Sequence, residues 1–309
     1  MTQDSYKKLL QLETTPEALD DTVKFIAKQM KPFLQTLEPV LICYPDLGPD
    51  SLGGLFKEAV LLCEATPVFW GPDYRWQSLL QTAFTTHANT IVGHPQVVLG
   101  LMKLAKATAT PLYFYDVIIG GYPFARWMVN GLTQGMDCKV WGFYALRGGP
   151  VIAGFSCGQN AGIHIRENVL KPYTVDADGE KLGGGARGRL YFNSVKDPEI
   201  IYDPKETAVV HFQPCSCGSD TPRVTETHYI GIDNPSRALL EETFLAWSSV
   251  LDYRAEYTEY GTALELVVFP GESLPKLPSF AKLNVRAWDP EKDVPFCMQH
   301  LVTKIKEKR

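Results

Sequence analysis

No apolar run in the 309-residue chain approaches the ~20 residues needed to span a bilayer. The N-terminal stretch MTQDSYKKLLQLETTPEALDD is amphipathic and acidic, and it lacks the apolar core of a signal peptide. Basic residues are not in excess: 30 Lys and Arg stand against 35 Asp and Glu, a formal charge of −5. There is thus no general electrostatic reason to bind nucleic acid or an anionic membrane. Internal repeats and low-complexity tracts are also missing, which excludes solenoids and fibrous arrays. With 45% apolar and 21% charged residues the composition is that of an ordinary globular protein, which excludes disorder. The expectation is a soluble, cytoplasmic protein of about two domains, with no nucleic-acid or membrane partner.

Residues 4–37 carry apolar positions at three- and four-residue spacing and read as helix. Short β-rich runs then alternate with helical segments. The expected strands are Val40–Tyr44, Thr66–Trp70, Thr90–Val92, Tyr113–Ile119 and Lys139–Tyr144. The helical stretches between them are Leu52–Ala65, Tyr74–Phe84, Pro95–Ala107 and Phe124–Thr133. Apolar strands separated by helices of this length predict an α/β fold, a largely parallel sheet covered by helices, over residues 38–150. Residues 151–230 are richer in Gly, Val, Tyr and Thr, with breakers such as DADGEKLGGGARG, and predict a small, mostly antiparallel β-rich region. Its clearest strands are Leu190–Asn193 and Ala208–Phe212. Residues 1–230 are thus read as the main domain. NPSRALLEETFLAW has an Asn-Pro helix start with carboxylates in its first turns, and DYRAEYTEYG and ALELVVF follow as a hairpin. A small α+β C-terminal domain over 234–309 is the expectation.

The chain has 7 cysteines, an odd number for a disulfide scaffold. Cys43, Cys63, Cys138 and Cys297 lie in apolar stretches and read as small buried side chains. Cys157, Cys215 and Cys217 lie among Gly, Ser, Asn and Gln. Cys157 and His164 form a C-x6-H pair, and Cys215-Ser216-Cys217-Gly218 supplies two more sulfurs. Zinc takes four N or S ligands in a tetrahedron, and two short-range pairs from separate loops supply such a set. A closed Cys3His site of this kind is structural. The other reading is free surface thiols beside a solvent-facing histidine.

The same residues carry a family resemblance. Ile119-Gly120-Gly121-Tyr122-Pro123 is similar to a glycine-glycine-x-proline turn that follows a strand in the phenylacetate–coenzyme A ligase branch of the adenylate-forming superfamily. Lys139–Tyr144, Gly162-Ile163-His164-Ile165, the turn Gly185–Leu190 and Cys215–Gly218 with Pro222-Arg223 resemble the segments that follow it there. The resemblance spans residues 50–268. It implies an AMP-forming acid–thiol ligase fold and a structural zinc on Cys157, His164, Cys215 and Cys217. It also implies an adenine wall at Gly120, Gly121, Tyr122 and Pro123, with Tyr144 as an aromatic face. AMP or ATP is the implied cofactor, and a small carboxylic acid or acyl-adenylate the implied partner.

The departures bear on catalysis. No Ser/Thr/Gly-rich phosphate loop stands upstream, so the chain reads as a shortened form of the family. The family's Tyr-Gly-x-Thr-Glu becomes Tyr144-Ala145-Leu146-Arg147-Gly148, which replaces both the phosphate-contacting threonine and the glutamate that holds magnesium. Magnesium is therefore not expected. The ribose-binding aspartate aligns with Glu206, one methylene longer, and Lys282 is the candidate for the C-terminal catalytic lysine. Arg147 is either a solvated loop cation or a positive charge where a metal would sit. Gly120-Gly121 and Tyr144 read equally as a tight packing turn and a core aromatic. The sequence thus predicts a reduced homologue that keeps part of the adenine and acyl pocket, with weak or no adenylation activity. The alternative is a non-catalytic, zinc-stabilised interaction or ligand-binding subunit.

Overall fold

The computed structural model describes residues 3–71, 73–122, 124, 126–159, 162–229, 247–258, 261–271, 274 and 282–299. The N-terminal helical stretch is two helices, α1 (Gln3–Glu13) and α2 (Pro16–Met30), rather than one continuous run to residue 37. Thr15 ends the continuity: its backbone is extended and its hydroxyl accepts from the Ala18 N–H at 3.3 Å, with Pro16 opening α2. A proline at the first helical position costs no hydrogen bond, whereas inside a longer helix it would break one.

The parallel half follows the expected alternation: β1 (Pro39–Ile42), α3 (Leu52–Leu62), β2 (Thr66–Phe69), α4 (Trp76–Thr86), β3 (Thr90–Gly93), α5 (Pro95–Ala107), β4 (Asp116–Gly120), α6 (Arg126–Met136) and β5 (Lys139–Ala145). The strands lie in the order β2-β1-β3-β4-β5, all parallel. Alternation of side chains divides their residues between two apolar layers. Val40, Ile42, Val92 and Ile118 face α2 and α3 with Ile26, Met30, Leu55 and Phe56. Leu41, Ile91, Val117 and Ile119 face the opposite layer with Trp76, Leu79, Val97, Leu101 and Leu104. The fourth strand starts at Asp116, later than Tyr113, and Tyr113 and Tyr115 are exposed before it.

The β-rich segment continues the same sheet. It contains β6 (Ile152–Ser156), β7 (Ile163–Ile165), β8 (Leu170–Val175), β9 (Arg187–Ser194), β10 (Ile201–Tyr202), β11 (Glu206–His211) and β12 (Arg223–Tyr229). β6 pairs antiparallel with β5, and the order runs on through β7-β12-β11-β9-β10, with β8 on β9. Among the described residues this makes one 12-stranded mixed sheet. α1 packs Leu9 into a third core under this half, beside Leu190, Phe192 and Val210.

In the C-terminal segment the expected hairpin forms from β13 (Val250–Thr258) and β14 (Gly261–Val268), and β15 (Lys282–Ala287) adds parallel to β14. The body of the expected helix, residues 234–246, lies outside the described residues. Leu251, Leu264 and Leu266 join the core of α4 and α5. Lys103 of α5 fastens this contact: buried, it donates to the carbonyls of Trp247 and Val250, both at 2.8 Å. Among the described residues, no helix is long and apolar enough to cross a membrane.

Candidate nucleotide cleft and candidate metal centre

β4 ends at Gly120, where the chain passes too close to β5 for a side chain: a Cβ there would lie 2.3 Å from the Phe143 carbonyl oxygen. Gly121 follows with φ +70°, the left-handed backbone that glycine adopts without strain. The turn is held from below by Tyr44, whose hydroxyl donates to the Gly120 carbonyl at 2.7 Å. Tyr122 packs on the His94 ring at 4.9 Å between centroids. Loss of solvation pushes the His94 imidazole down to about 3, so it is a neutral ring that caps α5. Pro123 lies outside the described residues.

β5 delivers Tyr144, the turn after it delivers Arg147, and β11 opens with Glu206. Gly121, Tyr122, Phe143, Tyr144, Ala145, Arg147 and Glu206 line one cleft of about 230 Å³, its mouth included. The structure thus brings together most of the residues expected around a nucleotide, from segments 62 positions apart in the case of Tyr144 and Glu206. Lys282 opens β15, is exposed, and lies outside this lining.

The Tyr144 hydroxyl donates to a Glu206 carboxylate oxygen at 2.8 Å, and both side chains are buried. Burial pushes the Glu206 carboxyl up to about 7, against the Tyr144 hydrogen bond that lowers it. A carboxyl raised in the folded state favours folding in full below its ordinary value of 4.5, and that contribution is lost as pH rises through about 7. The Tm difference between wild type and Glu206→Gln is therefore expected to shrink by the equivalent of about 2 kcal/mol from pH 4.5 to 7. A difference that stays flat over that window contradicts the assignment.

The second constellation gathers on the antiparallel side. Cys157 follows β6, His164 is the middle residue of β7, and Cys215 and Cys217 lie in the β11–β12 connection. β7 pairs with both β6 and β12, which carries His164 next to the Cys-x-Cys turn. Gly218, at φ +88°, closes that turn through its N–H to the Cys215 carbonyl at 2.9 Å. The four ligand atoms lie within 4.8 Å of one another. Cys157 Sγ and Cys215 Sγ are 3.8 Å apart, and Cys217 Sγ is 3.6 Å from His164 Nε2. A tetrahedron with zinc–sulfur bonds of ~2.3 Å has edges of about 3.8 Å, which the Cys157–Cys215 and Cys217–His164 separations match, and the wider pairs, within 4.8 Å, close to it with a shift of about 1 Å. His164 Nδ1 is 2.8 Å from the Thr221 hydroxyl, a contact in which Nδ1 would donate whenever Nε2 serves as a ligand. Burial, then the charge of Arg223, holds this imidazole below its ordinary value and so neutral, as a ligand must be. The sequence offered only a Ser/Thr-rich turn as a sign of Thr221. Of the other cysteines, Cys43 and Cys138 are buried as expected, whereas Cys63 and Cys297 are half-buried.

Comparison with solved structures gives first a class: the chain has the fold of the adenylate-forming CoA ligases. In particular, it is similar to 2-hydroxyisobutyryl-CoA ligase in the postadenylation state, at TM-score 0.63 and 15% identity, over 93% of this chain and 71% of that one. The open conformation of that ligase, in complex with 2-HIB-AMP and CoA, matches at TM-score 0.56 and 14% identity, covering 88% and 68%. A benzoate CoA ligase from Burkholderia xenovorans matches at TM-score 0.57 and 10% identity, covering 86% of this chain and 62% of that one. No protein-family model matches the chain, and no curated protein matches its sequence.

Proposed function

We propose that the chain is a zinc-stabilised, mononucleotide-binding homologue of the phenylacetate–CoA ligase branch, with weak or no adenylation activity. The observation that carries this reading is the shared cleft. Gly121, Tyr122, Tyr144 and Glu206, each expected at a nucleotide from the sequence, line one opening, and Arg147, at the position of the family's threonine, lines it with them. Adenylation puts charge on the α-phosphorus and expels pyrophosphate, so it depends on metal and cationic stabilisation. The segment between α2 and β1, residues 31–38, contains no glycine and a single threonine, so it offers no amide cradle for a triphosphate.

Zinc on Cys157, His164, Cys215 and Cys217 ties β6, β7 and the β11–β12 connection together. With four protein ligands it leaves no position for water and serves the fold, not the reaction.

Two assays on one preparation test the reading. AMP at millimolar concentration is expected to raise Tm by a few degrees, as binding to the folded state alone requires. ATP–pyrophosphate exchange is expected to stay at background with aliphatic and aryl acids. Acid-dependent exchange would make the protein a working ligase. Absence of any shift with AMP would instead favour an interaction subunit that keeps the fold without the ligand.

A further inference from the structure

We propose that residues 289–298 form a clasp that locks the C-terminal sheet in one position on the parallel half, so that the chain has a single domain arrangement. This does not depend on nucleotide binding.

Domains of one chain move against each other by default, unless the surface they share is large and apolar. Here it is apolar. β13 and β14 bury Leu251, Tyr253, Leu264 and Leu266 in the same core as Trp76 of α4 and Leu101 and Leu104 of α5. That core continues into the segment that follows β15: Met298 is buried in it, and Val294, Phe296 and Cys297 pack against it.

Polar contacts fix the segment on both sides. On the side of the parallel half, α4 begins without a side-chain cap, since Arg75 at its N-cap position does not bond back to the first turn. The Trp76 N–H donates instead to the Asp293 carbonyl at 3.0 Å, and Arg75 Nη1 donates to the Glu291 carbonyl, also at 3.0 Å. The segment thus supplies an acceptor to a helix start that its own side chains leave uncapped. On the side of the C-terminal sheet, buried Asp252 of β13 accepts the Phe296 N–H at 2.7 Å. Asp293, buried as well, accepts from Arg286 Nη1 of β15 at 2.8 Å and from the Asp289 N–H at 2.7 Å. The Phe296 ring carries the guanidiniums of Arg254 and Arg286 at 5.2 and 5.9 Å from its centroid.

Both sets of contacts run through the same ten residues. A rotation of the sheet therefore strips the start of α4 and opens the apolar core in one event, and packed cores do not deform by degrees. A reaction whose steps need two positions of this sheet can run at most one of them on this chain.

Pulsed electron paramagnetic resonance on the full chain tests this. Spin labels are attached to a keto-bearing amino acid that replaces exposed Lys24 of α2 and exposed Asn284 of β15, so the native cysteines stay unlabelled. The expected distance distribution has a single maximum that millimolar AMP, ATP with magnesium, or coenzyme A leaves in place. A second population above about 5%, or a maximum that moves with any of these probes, would overturn the proposal. Asp252→Ala removes the acceptor of the Phe296 N–H and is expected to lose the single maximum. Arg286→Met frees Asp293, leaves Asp252 in place and reads the same loss should Asp252→Ala not fold. A maximum unchanged in Arg286→Met, and in Asp252→Ala where it folds, would overturn the clasp as the cause.

Discussion

Cys215→Ser is expected to lower the Tm of the zinc-loaded protein by about 10 °C and to release bound zinc. The Cys157, His164, Cys215 and Cys217 donors come from the β6–β7 connection, from β7 itself and from the β11–β12 connection, and a bound metal would join all of them. Around them the protein–protein bonds are few: β7 has three residues, with two register pairs to β12 and three to β6. In isolated zinc-finger peptides the metal supplies ~10–16 kcal/mol, the whole of folding. Here the neighbouring strands β9, β11 and β12 already share an apolar core, so the loss is smaller, about 4 kcal/mol, which is the upper range for a single substitution. At ~2–4 °C per kcal/mol this gives the stated shift. Thr221→Val tests the supporting hydrogen bond with a smaller effect, since it removes only the acceptor that orients His164. Unchanged Tm and unchanged metal content in Cys215→Ser would show that the four side chains hold nothing.

Lys103→Met is expected to cost about 3 kcal/mol and to loosen the C-terminal sheet before the parallel half. The ammonium side chain is held among apolar groups of α5, where it donates to two backbone carbonyls, and methionine has no donor to offer them. Each carbonyl left dry costs ~1–3 kcal/mol, partly offset because a buried charge is also removed. Burial, opposed by the charge of Asp252, pushes Lys103 down to about 7. Between pH 7 and its ordinary 10.5 the unfolded chain holds a proton that the folded chain has released, so Lys103 makes stability rise with pH across that window. The variant loses this rise. Hydrogen exchange read by mass spectrometry locates the effect: residues 250–258 are expected to lose protection while residues 39–42 and 90–93 keep theirs. A uniform loss across both regions would contradict a local fastening role.

What the sequence made readable was what short-range patterns encode. Strand and helix alternation placed β1 to β5 within a few residues, because two-sided burial writes continuous apolar runs such as Val117-Ile118-Ile119. The clustering of Cys157, His164, Cys215 and Cys217 was readable because a Cys-x-Cys turn and a C-x6-H pair are local signals. The break at Thr15 was carried by Thr-Pro, yet the apolar spacing ran through it. Long-range geometry was not readable. That Tyr6 holds Arg147 depends on a contact across about 140 residues, and the raised Glu206 carboxyl depends on burial by β5 and β11 together. The sharing of the α4–α5 core by the C-terminal sheet was equally hidden, since Lys103 gives no sign in sequence of the carbonyls it meets.

These contacts also bear on how the fold relates to its neighbours. 2-Hydroxyisobutyryl-CoA ligase is represented in an open conformation and in a postadenylation state. In the present chain the C-terminal sheet shares a core with α4 and α5 and is pinned through Lys103, Asp252 and the Phe296 N–H, which donates to Asp252 at 2.7 Å. Release of that sheet would expose the apolar residues Leu251, Leu264 and Leu266, each almost fully buried.

The most direct test is a crystal structure of the protein grown with AMP. The expected result is one nucleotide in the cleft. Its base should lie along Gly121 and Tyr122 and its ribose hydroxyls within hydrogen-bond reach of Glu206. A cleft closed by its own side chains at saturating AMP, or a nucleotide bound elsewhere on the chain, would contradict the account.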